Sequence, residues 1–182
     1  QRPSRHTPIV NAPSIPAVPA VLLERLRRVT EQIAELPVQL PAELAASAPS
    51  VALASDFAFA VLQRHPDELI ARLLDREPVT ALRLHELTPL EGASEVEAMA
   101  ALPRRRQIEM ARIAWHDLAG WAPLEMSLAE LSALADFAIV ATLDYASAAL
   151  APRWPAPRNA SGAPLPLLTL AMGKLGGGEL NF

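Results

Sequence analysis

The sequence predicts a mainly α-helical chain that ends in the first strand and glycine loop of an α/β domain. Three observations carry this. Half the residues are apolar (51%), dominated by Ala and Leu with few aromatics, and small or unbranched side chains lose little freedom in a helix. Apolar residues then recur at helical spacing through most of the chain. After Leu150 the pattern stops: prolines, a short apolar run and a cluster of glycines follow.

The first elements read in order. Residues 1–17 carry repeated prolines and little pattern, and are expected to form a disordered leader. From Val18 to Leu36, the residues Leu22, Leu23, Leu26, Val29, Ile33 and Leu36 share a face, with Arg25, Arg27, Arg28 and Glu31 mostly opposite. Pro37 ends this helix, and Pro41 and Pro49 are expected to punctuate a loop. Ser55 or Asp56 caps a helix through Phe57, Val61 and Leu62. His65-Pro66 breaks it and starts another, with Asp67 and Glu68 in the favourable first turn. Leu69, Ile70, Leu73 and Leu74 give its core face.

Residues 77–93 are mixed and receive no assignment. From Ser94 to Ala119 a longer helical region is interrupted or kinked at Pro103, and Gly120 stops it. Ser127 and Glu130 have the spacing of a capping box. The helix they open, lined by Leu131, Leu134, Ala135, Ala138, Thr142 and Tyr145, runs to about Leu150. The domain plan is therefore a helical region at 18–151, a linker at 152–164, and the start of a second domain at 165–182.

Composition narrows the function classes. The formal net charge is −4, against the basic excess usual for nucleic-acid binding. There is no cysteine, so disulfides and thiolate metal sites are excluded, in keeping with a cytoplasmic protein. Arg2 and Arg5 precede no apolar stretch, because Pro13, Pro16 and Pro19 interrupt it, and no signal peptide is expected. The apolar run at 165–172 is too short to cross a bilayer. Neither a membrane nor a nucleic acid is an expected partner.

The end of the chain differs chemically from the rest. Of sixteen basic residues, the single lysine is Lys174, and four of seven glycines are Gly173, Gly176, Gly177 and Gly178. Leu165 to Met172 has the length and bounding turn signals of a buried strand. Glycines after such a strand let the backbone approach a phosphate, with amides pointing at it and a lysine adding charge. Lys174 is followed by Leu175 rather than Ser or Thr, so this is no Walker A loop, and the glycine spacing is not that of a dinucleotide fingerprint. A domain that stops after one strand is incomplete, so truncation is the expected reading; Gln1 in place of Met points the same way at the other end.

Gly173-Lys174-Leu175-Gly176-Gly177-Gly178-Glu179-Leu180-Asn181-Phe182 resembles the glycine motif of glutamine synthetase adenylyltransferases, whose two nucleotidyltransferase domains are of the DNA-polymerase-β type. Three upstream blocks resemble the same family in the same order: Ser55-Asp56-Phe57, Gln107 to Gly120 around Trp115, and Leu131-Ser132-Ala133-Leu134-Ala135-Asp136. The Glu179-Leu180-Asn181-Phe182 ending looks like the adenylyl-removing half.

The resemblance implies a parent enzyme that attaches AMP from ATP to a tyrosine of glutamine synthetase and removes it with phosphate, releasing ADP. It implies Mg²⁺ held by an Asp-x-Asp about ten residues beyond the motif, with PII signalling protein and glutamine as regulators. On this basis Gly173, Lys174, Gly176, Gly177, Glu179 and Asn181 are the expected phosphate- or nucleotide-binding residues. No catalytic or metal-holding residue is expected within the chain, and the isolated chain is expected to be inactive.

Blander readings stand beside these. The glycine segment could be a plain turn. Arg104–Arg106 reads as a solvated helix face before an anion site. Trp115 reads as core. His116 and Asp117 are adjacent on a helix and point apart, against an acid–base pair. His6, His65 and His85 lack ligand spacing. Glu179 and Asn181 could orient the loop or cap a short helix. The rival function is a helical module that docks glutamine synthetase or PII without catalysis; a weaker third is a polymerase-β-like transferase for another substrate.

Overall fold

The computed structural model describes residues 20–75 and 77–182, and these are mainly helical. The expected leader at 1–17 lies outside the described residues. Among the described residues eight helices follow one another: α1 (Ala20–Ala34), α2 (Ala42–Ala54), α3 (Asp56–Arg64), α4 (Pro66–Leu74), α5 (Ala81–Leu87), α6 (Glu95–Leu118), α7 (Leu124–Leu150) and the single-turn α8 (Gly173–Gly176).

Helix α6 is the spine. It touches α2, α3, α4 and α7, and its sequence presents three stripes at helical spacing. Ile108, Ala111 and Trp115 enter one apolar cluster with Val29 of α1, Leu44 and Val51 of α2, Phe59 and Leu62 of α3, and Leu69 and Leu73 of α4. Ile113 enters a second with Val79, Leu84 of α5, and Leu131, Leu134, Phe137 and Ala141 of α7. Between them, Glu109, Arg112 and His116 form a buried polar stripe. Trp115 is 1% exposed and its indole N–H donates to Ser47 Oγ at 3.0 Å.

Helix boundaries follow local chemistry. Ser55 caps α3, accepting from Ala58 N at 3.1 Å. Pro66 occupies the first turn of α4, where its missing N–H costs nothing. Ser94 and Glu97 form a reciprocal capping box at the start of α6. Gly120, at φ +70°, closes α6: Gly120 N donates to Asp117 O at 3.0 Å and Trp121 N to His116 O at 2.8 Å. That paired bonding is a Schellman stop.

Several expectations need correction. Pro49 lies inside α2 rather than in a loop; burial of Leu44, Ala48, Val51 and Ala52 outweighs the backbone bond a proline cannot make. Pro103 likewise sits within α6 without interrupting it. Helix α7 begins after Pro123, so Ser127 and Glu130 are inside it and not a capping box; Ser127 Oγ donates to Asp117 at 3.4 Å, while Glu130 turns into the core. The buried stripe of α7 is Leu131, Leu134, Phe137 and Ala141, and Thr142 is exposed. Leu74, Leu22 and Leu23 are 46%, 44% and 52% exposed rather than core. The unassigned stretch 77–93 contains α5, capped by Thr80.

The largest difference concerns residues 165–172. No strand forms among the described residues, whose one β-feature is an isolated bridge between Arg158 and Pro164. Leu167, Leu168, Leu170 and Met172 are 73–86% exposed. A strand needs a neighbour to bond its backbone along its length; among the described residues Leu165 N donates to Pro157 O at 2.7 Å, and this pairing does not extend along the run. One helix among the described residues, α7, has the length and apolarity to cross a membrane; Glu130 within it is buried and ion-paired, and its first half packs into the second cluster.

Candidate functional site

The glycine segment is a turn built on four backbone bonds. Gly177 N donates to Gly173 O at 3.0 Å, Gly178 N to Leu175 O at 3.1 Å, and Glu179 N to Lys174 O at 2.8 Å, while Gly176 N reaches Met172 O at 3.5 Å. Gly178 has φ +70°, so α8 ends in the same Schellman stop that closes α6. The amides of Gly176, Gly177 and Gly178 are thereby given to carbonyls of the turn. Gly176 is constrained differently. A Cβ there would stand 2.6 Å from the Ala171 carbonyl oxygen, so no other residue fits without moving backbone.

Lys174 projects from this turn, exposed, and its Nζ donates to Asn181 Oδ1 at 2.9 Å. A lysine carries three donors, so two remain for an anion. The structure thus brings Lys174 and Asn181 together. Glu179 is exposed. Asn181 meets a side chain on α8 from beyond its end, and the short helix lies before Glu179 and Asn181 rather than after them.

The segment is also fastened to the helical region. Leu180 N donates to Ser132 Oγ on α7 at 3.2 Å, and its side chain packs against the second apolar cluster. Ser132 Oγ donates in turn to Leu128 O at 2.9 Å.

A second constellation was not singled out in the sequence. Glu109, fully buried, receives Arg72 Nε at 2.6 Å and Nη2 at 3.2 Å, and Arg112 Nε at 3.0 Å. Arg105 Nη1 stands 3.4 Å away. Arg112 Nη2 lies 2.8 Å from Glu130 Oε1 as an ion pair without hydrogen-bond alignment; the same oxygen accepts from Val79 N at 2.8 Å. Asp75 binds both Arg72 and Arg83.

Burial opposes the charge on Glu109, yet the hydrogen bond and charge of Arg72, then Arg112, hold its pKa below the ordinary value. Burial opposes Arg72 too, and Glu109 and Asp75 more than offset it, so its pKa is raised. Burial likewise opposes Asp75, but the Glu77 amide, Arg72 and Arg83 bring it below the usual carboxylate range. The network bolts α4, α6 and α7 together. Its sequence signal was an acid and a base three apart inside an apolar block, Ile108-Glu109-Met110-Ala111-Arg112-Ile113.

The Arg104–Arg106 run is only partly a solvated face. Arg104 pairs with Glu68 at 2.7 Å. Arg105 is largely covered and donates to Thr88 Oγ1 at 3.0 Å and Leu87 O at 2.9 Å, tying the end of α5 to α6. Among the described residues no group of three or more His, Cys, Asp or Glu is placed to hold a metal.

The family described as glutamate-ammonia ligase adenylyltransferase (GlnE) matches residues 45–182. The chain belongs to this family. Relatives named bifunctional glutamine synthetase adenylyltransferase/adenylyl-removing enzyme occur in Shewanella loihica, 36% identical over 86% of the chain and 17% of the relative. The Shewanella frigidimarina relative is 40% identical over 70% of the chain and 14% of its own length. That of Shewanella woodyi is 35% identical over 96% of the chain and 19% of its own length. The chain thus spans less than a fifth of the length of these relatives. The match runs through the α6 spine, the Leu131–Asp136 block and the glycine turn alike.

Proposed function

We propose that the chain is the amino-terminal part of a cytoplasmic enzyme that adenylylates a tyrosine of glutamine synthetase and removes the AMP by phosphorolysis. The observation that carries this reading is the 36% identity over 86% of the chain to a protein of that name. It is supported by an exposed Lys174 presented by a rigid turn within the matched region.

In this reading Lys174 binds a phosphate oxygen as a point charge, with two N–H groups free beyond the one given to Asn181. At exposed Gly173, where a Cβ would meet nothing within 4 Å, the missing side chain lets a phosphate approach the backbone. The apolar run at 165–172 becomes the first strand of a nucleotidyltransferase sheet once a neighbouring strand supplies its backbone bonds. Mg²⁺, which would stabilise charge on the transferring phosphoryl group, is assigned to an Asp-x-Asp of the parent enzyme beyond the glycine motif. Glutamine synthetase is the substrate partner and PII protein the regulator.

The test is Lys174→Ala in the full-length enzyme, assayed by phosphate-dependent ADP release from adenylylated glutamine synthetase. A loss of at least about tenfold is expected for removal of one charge-assisted phosphate contact. Wild-type activity would overturn the assignment of Lys174. The 182-residue chain by itself is expected to release no ADP.

A further inference from the structure

Three contacts form an unbroken line from the helical region to Lys174. Ser132 Oγ on α7 is fixed by donating to Leu128 O, one turn earlier, at 2.9 Å. Its lone pair receives the Leu180 amide at 3.2 Å. The next residue, Asn181, then accepts the Lys174 ammonium at 2.9 Å. Leu180 adds an apolar anchor against the cluster that holds Leu131 and Leu134.

The backbone bonds of the turn end with Glu179 N to Lys174 O, and the next residue, Leu180, is held by α7 through its amide and its side chain. A serine at 132 is suited to this task, because a hydroxyl in a helix can donate to the preceding turn while still accepting. Alanine offers neither bond. Ser132 lies 48 residues from its partner in sequence, so the helical region reaches the glycine turn through it.

We propose that Asn181 and Ser132 are positioning residues for Lys174: Asn181 holds the ammonium, and Ser132, through the Leu180 amide, sets the place of Asn181. The inference rests on Lys174 being the phosphate-binding group. It makes α7 part of the phosphate site's framework, not only a support for the domain. An unguided lysine keeps several rotatable bonds and samples many positions, so the loss of either positioning residue weakens anion binding more than it alters the reacting groups.

The experiment uses the full-length enzyme and compares Lys174→Ala, Asn181→Ala, Ser132→Ala and Ser132→Thr. The KM for inorganic phosphate and the kcat are read from ADP release with adenylylated glutamine synthetase, alongside a melting curve. Asn181→Ala and Ser132→Ala are expected to raise the phosphate KM about fivefold, the size of one lost hydrogen bond. The kcat changes less and melting stays close to wild type. Ser132→Thr keeps the hydroxyl and restores the KM. If Lys174→Ala is impaired while Asn181→Ala and Ser132→Ala match wild type, the positioning inference fails and the Lys174 reading survives. A Ser132→Ala enzyme with lowered melting and kcat but unchanged KM also overturns it, since that is a structural role only. If Lys174→Ala itself retains wild-type kinetics, both fall.

Discussion

Arg72 on α4 grips Glu109 on α6 with two parallel contacts, Nε to Oε1 at 2.6 Å and Nη2 to Oε2 at 3.2 Å. The two residues are 37 apart in sequence and both are buried. Fork-on-fork pairing of this kind fixes orientation as well as charge. It sets the angle at which α4 lies on the spine.

Removing one partner of such a pair strands the other. Glu109→Gln leaves Arg72 and Arg112 buried with a neutral amide between them. The expected loss of stability is about 3–5 kcal/mol, read as a lowered urea midpoint with unchanged slope. Replacing Arg72, Glu109 and Arg112 together by apolar residues of similar volume is expected to cost much less, because the desolvation of all three charges is removed with them.

The same group predicts acid sensitivity. Glu109 and Asp75 both have folded-state pKa values below their ordinary ones. A depressed carboxylate contributes stability that is fully present above its unfolded pKa, about 4.3 for Glu and 3.9 for Asp. That stability is lost as pH falls through the lower folded values. Arg72, with a raised pKa, contributes stability present at all lower pH, so it opposes no acid transition. Urea midpoints are expected to fall steeply below about pH 4 as these two carboxylates take up protons. In Glu109→Gln that fall is shallower, leaving the part due to Asp75.

Trp115 joins packing to a single polar contact. Its ring fills the first cluster at 1% exposure, and its N–H reaches Ser47 Oγ at 3.0 Å. Ser47→Ala leaves that N–H without its partner and is expected to cost about 1–2 kcal/mol. Trp115→Ala also empties much of the cluster and is expected to cost about 3–5 kcal/mol. Thermal melting of the two variants separates the hydrogen bond from the packing.

What the sequence revealed depended on how local the cause was. The Ser55 cap, the Pro66 start and the Gly120 stop act within one turn, and each was legible. Pro49 and the Ser127–Glu130 pair were misread because distant partners decide them: Pro49 is carried by the buried face of α2, and Glu130 is drawn inward by Arg112 and the Val79 amide. The apolar run at 165–172 carries a strand's pattern, but a strand also needs a partner, which the run's own sequence does not encode. At the candidate site, the residue types of the glycine segment were legible, since glycine and a lone lysine stand out. The tie from Leu180 to Ser132 was not, because nothing in either residue's neighbourhood signals a contact across 48 residues.

Two glycines of the turn make a final pair of predictions with different physical causes. At Gly178 a Cβ meets nothing within 4 Å, but φ is +70°. Alanine there pays only the left-handed conformation, about 1–2 kcal/mol, and asparagine less. At Gly176 the backbone angle is ordinary, but a Cβ would lie 2.6 Å from the Ala171 carbonyl oxygen. Main chain cannot swing aside as a side chain does, so Gly176→Ala must displace the residues before α8 and move Lys174 with them. In the full-length enzyme Gly176→Ala is therefore expected to lose phosphate-dependent ADP release more severely than Gly178→Ala. Gly178→Asn is expected to stay nearer wild type than Gly178→Ala. Asparagine at 176 is expected to be no better than alanine, because its Cβ meets the same oxygen.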